Sequence, residues 1–319
     1  MKNVFWNRDE KRLRAGWRLV LFLWALALAL FALSLLTFGL MGAGLGDVAL
    51  QIQPLLLLAA FGGALFLSAR FLDRRPLAEY GFHFSRAWWS DFGFGLGLGA
   101  ALMGLIFALE LGLGWLEIQP QAAWDSSFWA GILAALLQFI AVGIYEEIFS
   151  RAYQLRNLAE GLNWKRIGPR TALILAMIIS SFIFGALHLG NPNATLISAL
   201  NISLAGIFLG LGLALTGELA IPIAIHITWN FFQGNVFGFP VSGTNAGTSL
   251  IAIRQGGPEL LTGGAFGPEA GLLGVLAMLL GCAAILLWVR WRRGSVHLHT
   301  PLSVYRLPTA ADAPVPQQP

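Results

Sequence analysis

Long apolar runs alternate with short polar and basic segments along the whole chain. A helix needs about 20 predominantly apolar residues to cross the hydrocarbon core of a bilayer. We predict eight transmembrane helices, at 17–41, 49–71, 90–114, 127–150, 171–190, 195–216, 219–237 and 269–290. The first apolar run is too long for the core of a signal peptide, so it is interpreted as an uncleaved first span.

The positions of Lys and Arg give an independent check of these spans, because cytoplasmic loops carry an excess of basic residues. Basic residues cluster before the first span, between the second and third, after the fourth and after the eighth. The opposite side holds a single cation, Arg254. This alternation predicts that both termini are cytoplasmic. Joining 195–216 and 219–237 into one span would break it.

Composition excludes several classes of protein. The chain is 57% hydrophobic and 11% charged, with a mean hydropathy of +0.70, which excludes a soluble globule. The net charge of +4 follows from the cytoplasmic clusters, so it does not indicate nucleic-acid binding. The single cysteine, Cys282, excludes an intramolecular disulfide and a cysteine-based zinc site. We therefore predict an all-α polytopic membrane protein, with one transmembrane domain at 1–293 and a disordered cytoplasmic tail at 294–319.

A doubled carboxylate followed by a cation ends the fourth span. Ionisable side chains inside a membrane are expensive and therefore indicate a functional site. Glu147 and Arg151 are four residues apart on one helix face, so they can neutralise each other. Glu146 points about 100° away on the helix and is left free. A solvated charge pair at the edge of a helix is the alternative interpretation.

Two histidines lie inside predicted spans. His188 ends the apolar run of the fifth span, four residues after Phe184. His226 and Asn230 share one face of the seventh span, because they too are four residues apart. An isolated intramembrane histidine often only bonds to a neighbouring helix. A free glutamate and an asparagine in the same set favour chemistry over packing.

These residue types suit hydrolysis. A buried glutamate can act as general base toward water, and a neighbouring histidine can share the proton. A histidine and an asparagine can donate to a developing oxyanion. Alternatively, Glu146, His188 and His226 could bind Zn²⁺ and leave a fourth position open for water. The HExxH signature is absent, so no local motif favours zinc.

The three motifs together resemble those of the CPBP intramembrane protease family, also called the abortive-infection family. This family includes the type II CAAX prenyl endopeptidases and bacteriocin-processing or immunity proteins. The likeness covers about residues 125–235 and rests on the ordered set Glu146-Glu147-x-x-x-Arg151, Phe184-x-x-x-His188 and His226-x-x-x-Asn230. The chain departs from the family pattern at Ser150 and Ala152, where Phe and Gly are frequent.

The resemblance implies a role for each residue. Glu146 would activate water with His188 beside it, while His226 and Asn230 would serve the oxyanion. Three further residues would support the site: Glu147, Arg151 and Phe184. The implied protein is an intramembrane endopeptidase, often described as a metalloprotease, although a metal-free glutamate mechanism is also argued for the family.

The implied substrate is a membrane-associated peptide or lipidated protein, such as a prenylated C-terminal motif, a bacteriocin leader or a membrane regulator. The implied location is the lipid bilayer of a bacterial plasma membrane, with no nucleic-acid partner. Two other functions stay open: a non-catalytic binding or immunity protein of the same fold, and a proton-coupled transporter.

The depth of the motifs sets a geometric condition. Glu146 lies near the cytoplasmic end of its predicted span, whereas His188 lies some 17 residues into its span, which is about 25 Å away at 1.5 Å per residue. The two can meet only if the fourth helix continues past Glu146 and the fifth starts deeper or tilts. We expect Glu146, His188, His226 and Asn230 to converge in one cavity.

Overall fold

The computed structural model describes residues 4–120, 124–245 and 247–305, most of which are helical. The α-helices are α1 (Ala15–Gly42), α2 (Gly46–Leu67), α3 (Arg86–Gly112), α4 (Ser126–Glu147), α5 (Arg156–Leu162), α6 (Gly168–Leu187), α7 (Leu196–Thr216), α8 (Ala220–Phe231), α9 (Glu259–Thr262) and α10 (Leu272–Arg293). Three π-helical segments extend helices, at Ser68–Asp73, Ile148–Leu155 and Phe232–Val236. Four short strands form two antiparallel pairs: β1 (Trp6–Asn7) with β2 (Arg12–Leu13), and β3 (Leu116–Gln119) with β4 (Ala252–Gln255).

The predicted all-α membrane fold is confirmed. Within the described ranges, seven helices are long and apolar enough to cross a membrane. They are Ala15–Gly42, Gly46–Asp73, Arg86–Gly112, Ser126–Leu162, Gly168–Gly190, Leu196–Thr216 and Leu272–Arg293. The remaining predicted span, 219–237, corresponds to the shorter helix α8 and its π-helical extension.

Helix α8 lies inside the bundle, where it packs against α3, α4 and α7. Glycines on its neighbours make this close approach possible. A Cβ atom at Gly95 of α3 would come within 2.9 Å of the Ile221 carbonyl, and one at Gly143 of α4 within 2.7 Å of the Ile227 side chain. The apolar residues of α8 are therefore buried by protein, which places its polar side chains at fixed depth among the other helices.

The helix that carries the doubled carboxylate does not end at residue 150. It runs from Ser126 to Leu162 through the π-helical segment Ile148–Leu155, and Tyr153 and Leu155 are fully buried. The first condition for bringing Glu146 and His188 together is therefore met. Arg151 lies within this helix and is buried, so its expected place in a cytoplasmic loop is wrong.

Both termini of the described chain meet at one end of the bundle, here called the basic end. The guanidinium of Arg12 lies 3.4 Å from the ring centre of Tyr305, and the Tyr305 hydroxyl donates to the Arg74 carbonyl over 3.2 Å. Beneath them the carboxylate of Glu160 accepts hydrogen bonds from three arginines, Arg12, Arg18 and Arg75. These cations hold the fold together in addition to any influence on orientation.

The segment after α10 is packed in its described part. The His299 N–H donates to the Ala214 carbonyl over 2.7 Å, and Leu302 and Ser303 are buried. The predicted disordered tail therefore does not begin at residue 294. Its remainder, 306–319, lies outside the described residues.

Candidate active site

A cavity of about 580 Å³ opens among α1, α2, α4, α6, α7 and α8. Most of its wall is apolar, with Leu and Phe side chains from α1, α2 and α7. Its polar wall contains four residues predicted from the sequence: Glu146, His188, His226 and Asn230. The structure therefore brings these four side chains together around one space, as the motifs require.

One carboxylate oxygen of Glu147 contacts residues of two different motifs, Arg151 and His226. This Oε1 atom accepts from Arg151 over 2.9 Å and lies 2.8 Å from Nδ1 of His226. Arg151 also donates to the Gly206 carbonyl of α7 over 3.0 Å. All three side chains are at least nine-tenths buried, so these bonds act in a low dielectric, where they fix geometry strongly. Glu147 and Arg151 thus lock the His226 ring in place.

Glu146 faces the cavity with its side chain one quarter exposed. Its Oε2 atom lies 3.7 Å from Nε2 of His226, which is too long for a direct hydrogen bond. The same Oε2 atom has no hydrogen-bond partner among the described groups. This carboxylate therefore has an oxygen available for a molecule in the cavity.

His188 follows the last residue of α6. Its Nδ1 atom lies 2.7 Å from the Phe184 carbonyl, so Nε2 is the ring nitrogen left for the cavity. The Phe184 ring packs 4.8 Å from the His188 ring and 4.4 Å from the Arg151 guanidinium. Phe184 thus connects the second motif to the first through a tilted ring contact with His188 and a cation–π contact with Arg151.

Asn230 lies one helical turn after His226 on α8 and lines the same cavity. No hydrogen bond from its side-chain amide is formed to any other described residue. Its amide N–H groups are therefore free to donate to a ligand, as an oxyanion site requires.

The candidate zinc ligands do not form a metal centre in this arrangement. Among residues 4–120, 124–245 and 247–305, no three side chains of His, Cys, Asp or Glu are grouped to hold one ion. The Nδ1 atom of His226 contacts Glu147 and that of His188 contacts a backbone carbonyl, which leaves Nε2 as the second ring nitrogen of each histidine. The described geometry therefore does not group the three residues around one ion, and Zn²⁺ binding by Glu146, His188 and His226 stays a prediction.

The cavity has a second polar wall that the sequence did not reveal. Glu269 lines it from the turn before α10, where its Oε1 accepts from the Ser242 N–H over 2.6 Å and its Oε2 from Gln233. Burial raises the pKa of Glu269 to about 7. Ser242 in turn accepts from Asn191, three residues after His188. No regular spacing links Glu269 to the three motifs, so only the fold could bring it here.

The helices and the cavity define the class: the chain is an integral multi-pass membrane protein. Residues 127–232 match the family model described as Rce1-like, type II CAAX prenyl endopeptidase. The resemblance to the CPBP family is thereby confirmed for this segment, which carries all three motifs. No curated protein and no solved structure matches the chain.

Proposed function

We propose that this protein is an intramembrane endopeptidase that hydrolyses a peptide bond in a membrane-associated or lipidated substrate. The observation that carries the proposal is the convergence of Glu146, His188, His226 and Asn230 on one largely apolar cavity. A peptide and its lipid can share such a cavity, because polar groups line one side and apolar helices the other. The match of residues 127–232 to a protease family supports the same reaction.

In the proposed mechanism Glu146 takes a proton from water and the resulting hydroxide attacks the carbonyl carbon. The oxyanion accepts hydrogen bonds from the Asn230 amide and from Nε2–H of His226. Nδ1–H of His226 donates to Glu147, so the ring then carries both protons, and the adjacent carboxylates stabilise its positive charge. When the C–N bond breaks, the proton held by Glu146 passes to the leaving amine, with His188 beside it to share the transfer.

The test is cleavage of a farnesylated peptide ending in a CAAX sequence by the purified protein in liposomes. We expect Glu146→Ala to lower kcat by about 10²–10⁴-fold, as for loss of a general base. We expect Asn230→Ala to lower kcat by about 10²–10³-fold, as for loss of an oxyanion donor. Glu117→Ala is the control, since this exposed glutamate pairs with Arg254 on the β3–β4 sheet.

The other candidate functions and the metal are decided by the same preparation. If farnesylated and membrane-embedded peptides all stay intact while Glu146→Ala abolishes proton-coupled uptake, the protein is a transporter. If peptides stay intact and no uptake occurs, a binding role fits better. Stoichiometric zinc in the active protein, with activity lost on chelation and restored by zinc, would contradict a metal-free mechanism.

We further propose that both termini face the cytoplasm of a bacterial cell. The basic end carries the N-terminal and C-terminal segments, and cytoplasmic loops are enriched in Lys and Arg. Fluorescent-protein fusions to either terminus should fluoresce, and alkaline phosphatase fusions at the same points should be inactive. An active phosphatase at one terminus only would contradict the shared face.

A further inference from the structure

The hydroxyl of Ser150 is a buried polar group that the proposed reaction leaves without a role. Ser150 lies four residues after Glu146 and lines the same cavity, although only 1% of the residue is exposed. Its Oγ atom has no hydrogen-bond partner among the described groups. A buried hydroxyl left unpaired costs about 1–3 kcal/mol, so a ligand in the cavity is the natural partner.

Other hydroxyls in the helices of this protein do not behave in this way. Four of them donate to the carbonyl four residues earlier in their own helix, which is the ordinary arrangement. The pairs are Ser34 with Leu30, Ser203 with Ala199, Thr216 with Gly212 and Thr228 with Ala224. The hydroxyl of Ser150 makes no such bond.

The local backbone gives a physical reason. Ser150 lies in the π-helical segment Ile148–Leu155, whose wider turns bond residues five apart instead of four. The Ser150 hydroxyl does not bond to the carbonyl four residues earlier, that of Glu146. Single π-helical turns within α-helices are also frequent at functional sites. The segment therefore releases the Ser150 hydroxyl at the wall that carries Glu146.

Two unpaired polar atoms thus belong to residues that line one cavity and lie one helical turn apart. Glu146 Oε2 can only accept when ionised, and the Ser150 hydroxyl can donate. A water molecule needs two to four polar partners to be held in a buried site. An acceptor and a donor one turn apart supply two of them with the correct polarity.

We propose that Ser150 binds the attacking water together with Glu146. The Ser150 O–H donates to the water oxygen, the water donates one proton to Glu146 Oε2, and its second lone pair is left to attack the carbonyl carbon. This inference rests on the proposed function, and it adds to the site a residue that the three motifs do not include. Phenylalanine, frequent at this position in the family, has no hydroxyl and would fill the space.

Three substitutions separate the hydroxyl from the space it occupies. Ser150→Ala keeps the space, Ser150→Thr keeps the hydroxyl, and Ser150→Phe removes both. Ser180→Ala is the matched control, because Ser180 is equally buried but donates to the Met177 carbonyl of its own helix. The readout is steady-state cleavage of the farnesylated CAAX peptide.

We expect Ser150→Ala to lower kcat about tenfold with KM within twofold, as for loss of one hydrogen bond in the transition state. Ser150→Thr should recover most of kcat, Ser150→Phe should not, and Ser180→Ala should match the parent. Full kcat in Ser150→Ala, or a loss confined to KM, overturns the proposal.

A crystal structure that resolves ordered water keeps the proposal testable even if the parent protein cleaves no peptide. The expected result is a water within about 3.2 Å of both Glu146 Oε2 and Ser150 Oγ, absent from Ser150→Ala. A Ser150 hydroxyl bonded instead to its own backbone overturns the inference whatever the activity. Failure of cleavage with the water present contradicts only the proposed function.

Discussion

The charge of Arg151 is compensated by a carboxylate oxygen that it shares with His226. Removing one member of a buried ion pair typically costs about 3–5 kcal/mol, because the other charge stays buried. We therefore expect Arg151→Met to lower the melting temperature in detergent strongly. Adding Glu147→Gln should recover much of that loss, since both charges are then gone. A double variant no more stable than Arg151→Met would contradict this account.

The double variant of Arg151 and Glu147 also tests whether the Glu147 charge is needed for catalysis as well as for stability. Glu147 also stabilises the protonated His226 ring in the proposed mechanism, and a neutral glutamine cannot. The stable double variant should therefore stay at low kcat on the farnesylated peptide. Recovery of kcat together with stability would show that the Glu147 charge serves folding alone.

Glu269 makes stability depend on pH near neutrality. Burial raises its folded-state pKa from 4.5 to about 7, so the folded protein holds a proton that the unfolded chain releases. Its contribution is fully present below about pH 4.5 and is lost as the pH rises through 7. This linkage amounts to about 3 kcal/mol. The melting temperature should fall as the pH rises from about 4.5 to about 7, and Glu269→Gln should flatten the fall.

Exposed Glu259 provides the control for that measurement, because Glu259→Gln should leave the slope unchanged. Groups that titrate in both proteins cancel in the difference from the parent. Equal slopes for the parent and Glu269→Gln would mean that Glu269 is ionised in the folded protein throughout this range.

Sequence spacing predicted some of these contacts and could not predict others. The Glu147–Arg151 pair follows from residues four apart on a helix. The contact between Glu147 and His226 joins side chains on two different helices. The spacing of residues along the sequence does not reveal such a contact. The burial of Arg151 was missed because an arginine at the end of an apolar run is normally a solvated boundary residue.

Helix α8 carries two candidate site residues, His226 and Asn230, and packs closely against glycines of α3. A Cβ atom at Gly99 would come within 2.4 Å of the Thr228 hydroxyl and 2.8 Å of the Ile225 carbonyl. We expect Gly99→Ala to displace α8, lowering both the melting temperature and kcat/KM on the farnesylated peptide. Gly97→Ala on the opposite face meets nothing within 4 Å, so it should be neutral or stabilising.

A Gly99→Ala protein with unchanged kinetics would show that α8 adjusts without moving His226 or Asn230. A loss in Gly97→Ala as large as in Gly99→Ala would trace the effect to α3 itself. The comparison therefore isolates the contact between the two helices.

Apolar runs predicted seven long helices well, and the predicted all-α class was confirmed. They could not show that α8 is surrounded by protein, because a helix that is apolar all round is equally suited to lipid and to a protein core. The π-helical segment after Glu147 was also invisible, since its residues do not differ in composition from an ordinary helix. Both features position the candidate site.

For the whole molecule, Glu160 is the point where separate parts of the chain are joined. Its carboxylate accepts from Arg12, Arg18 and Arg75, which come from three different segments. Glu160→Gln leaves this buried cluster short of a negative charge, so we expect a loss of about 3–5 kcal/mol in unfolding free energy. The measurement is denaturant or thermal unfolding in detergent.

Glu117→Gln is the matched case at the other end of the molecule. Glu117 pairs with Arg254 at the exposed surface, and such pairs contribute about 0–1 kcal/mol. If both substitutions have equal effects, the Glu160 cluster does not hold the segments together. A large loss of unfolding free energy for Glu160→Gln alone supports the role of this cluster in joining the segments.

The unbroken helix from Ser126 to Leu162 carries both Glu146 and Glu160. Fourteen residues separate them, which at helical rise sets the proposed water-activating carboxylate about 20 Å from the arginine cluster. The helix thus fixes the distance between the candidate site and the basic end of the bundle. Substrates of the proposed protease would be selected by how deep a bond lies in the bilayer, with local sequence a secondary criterion.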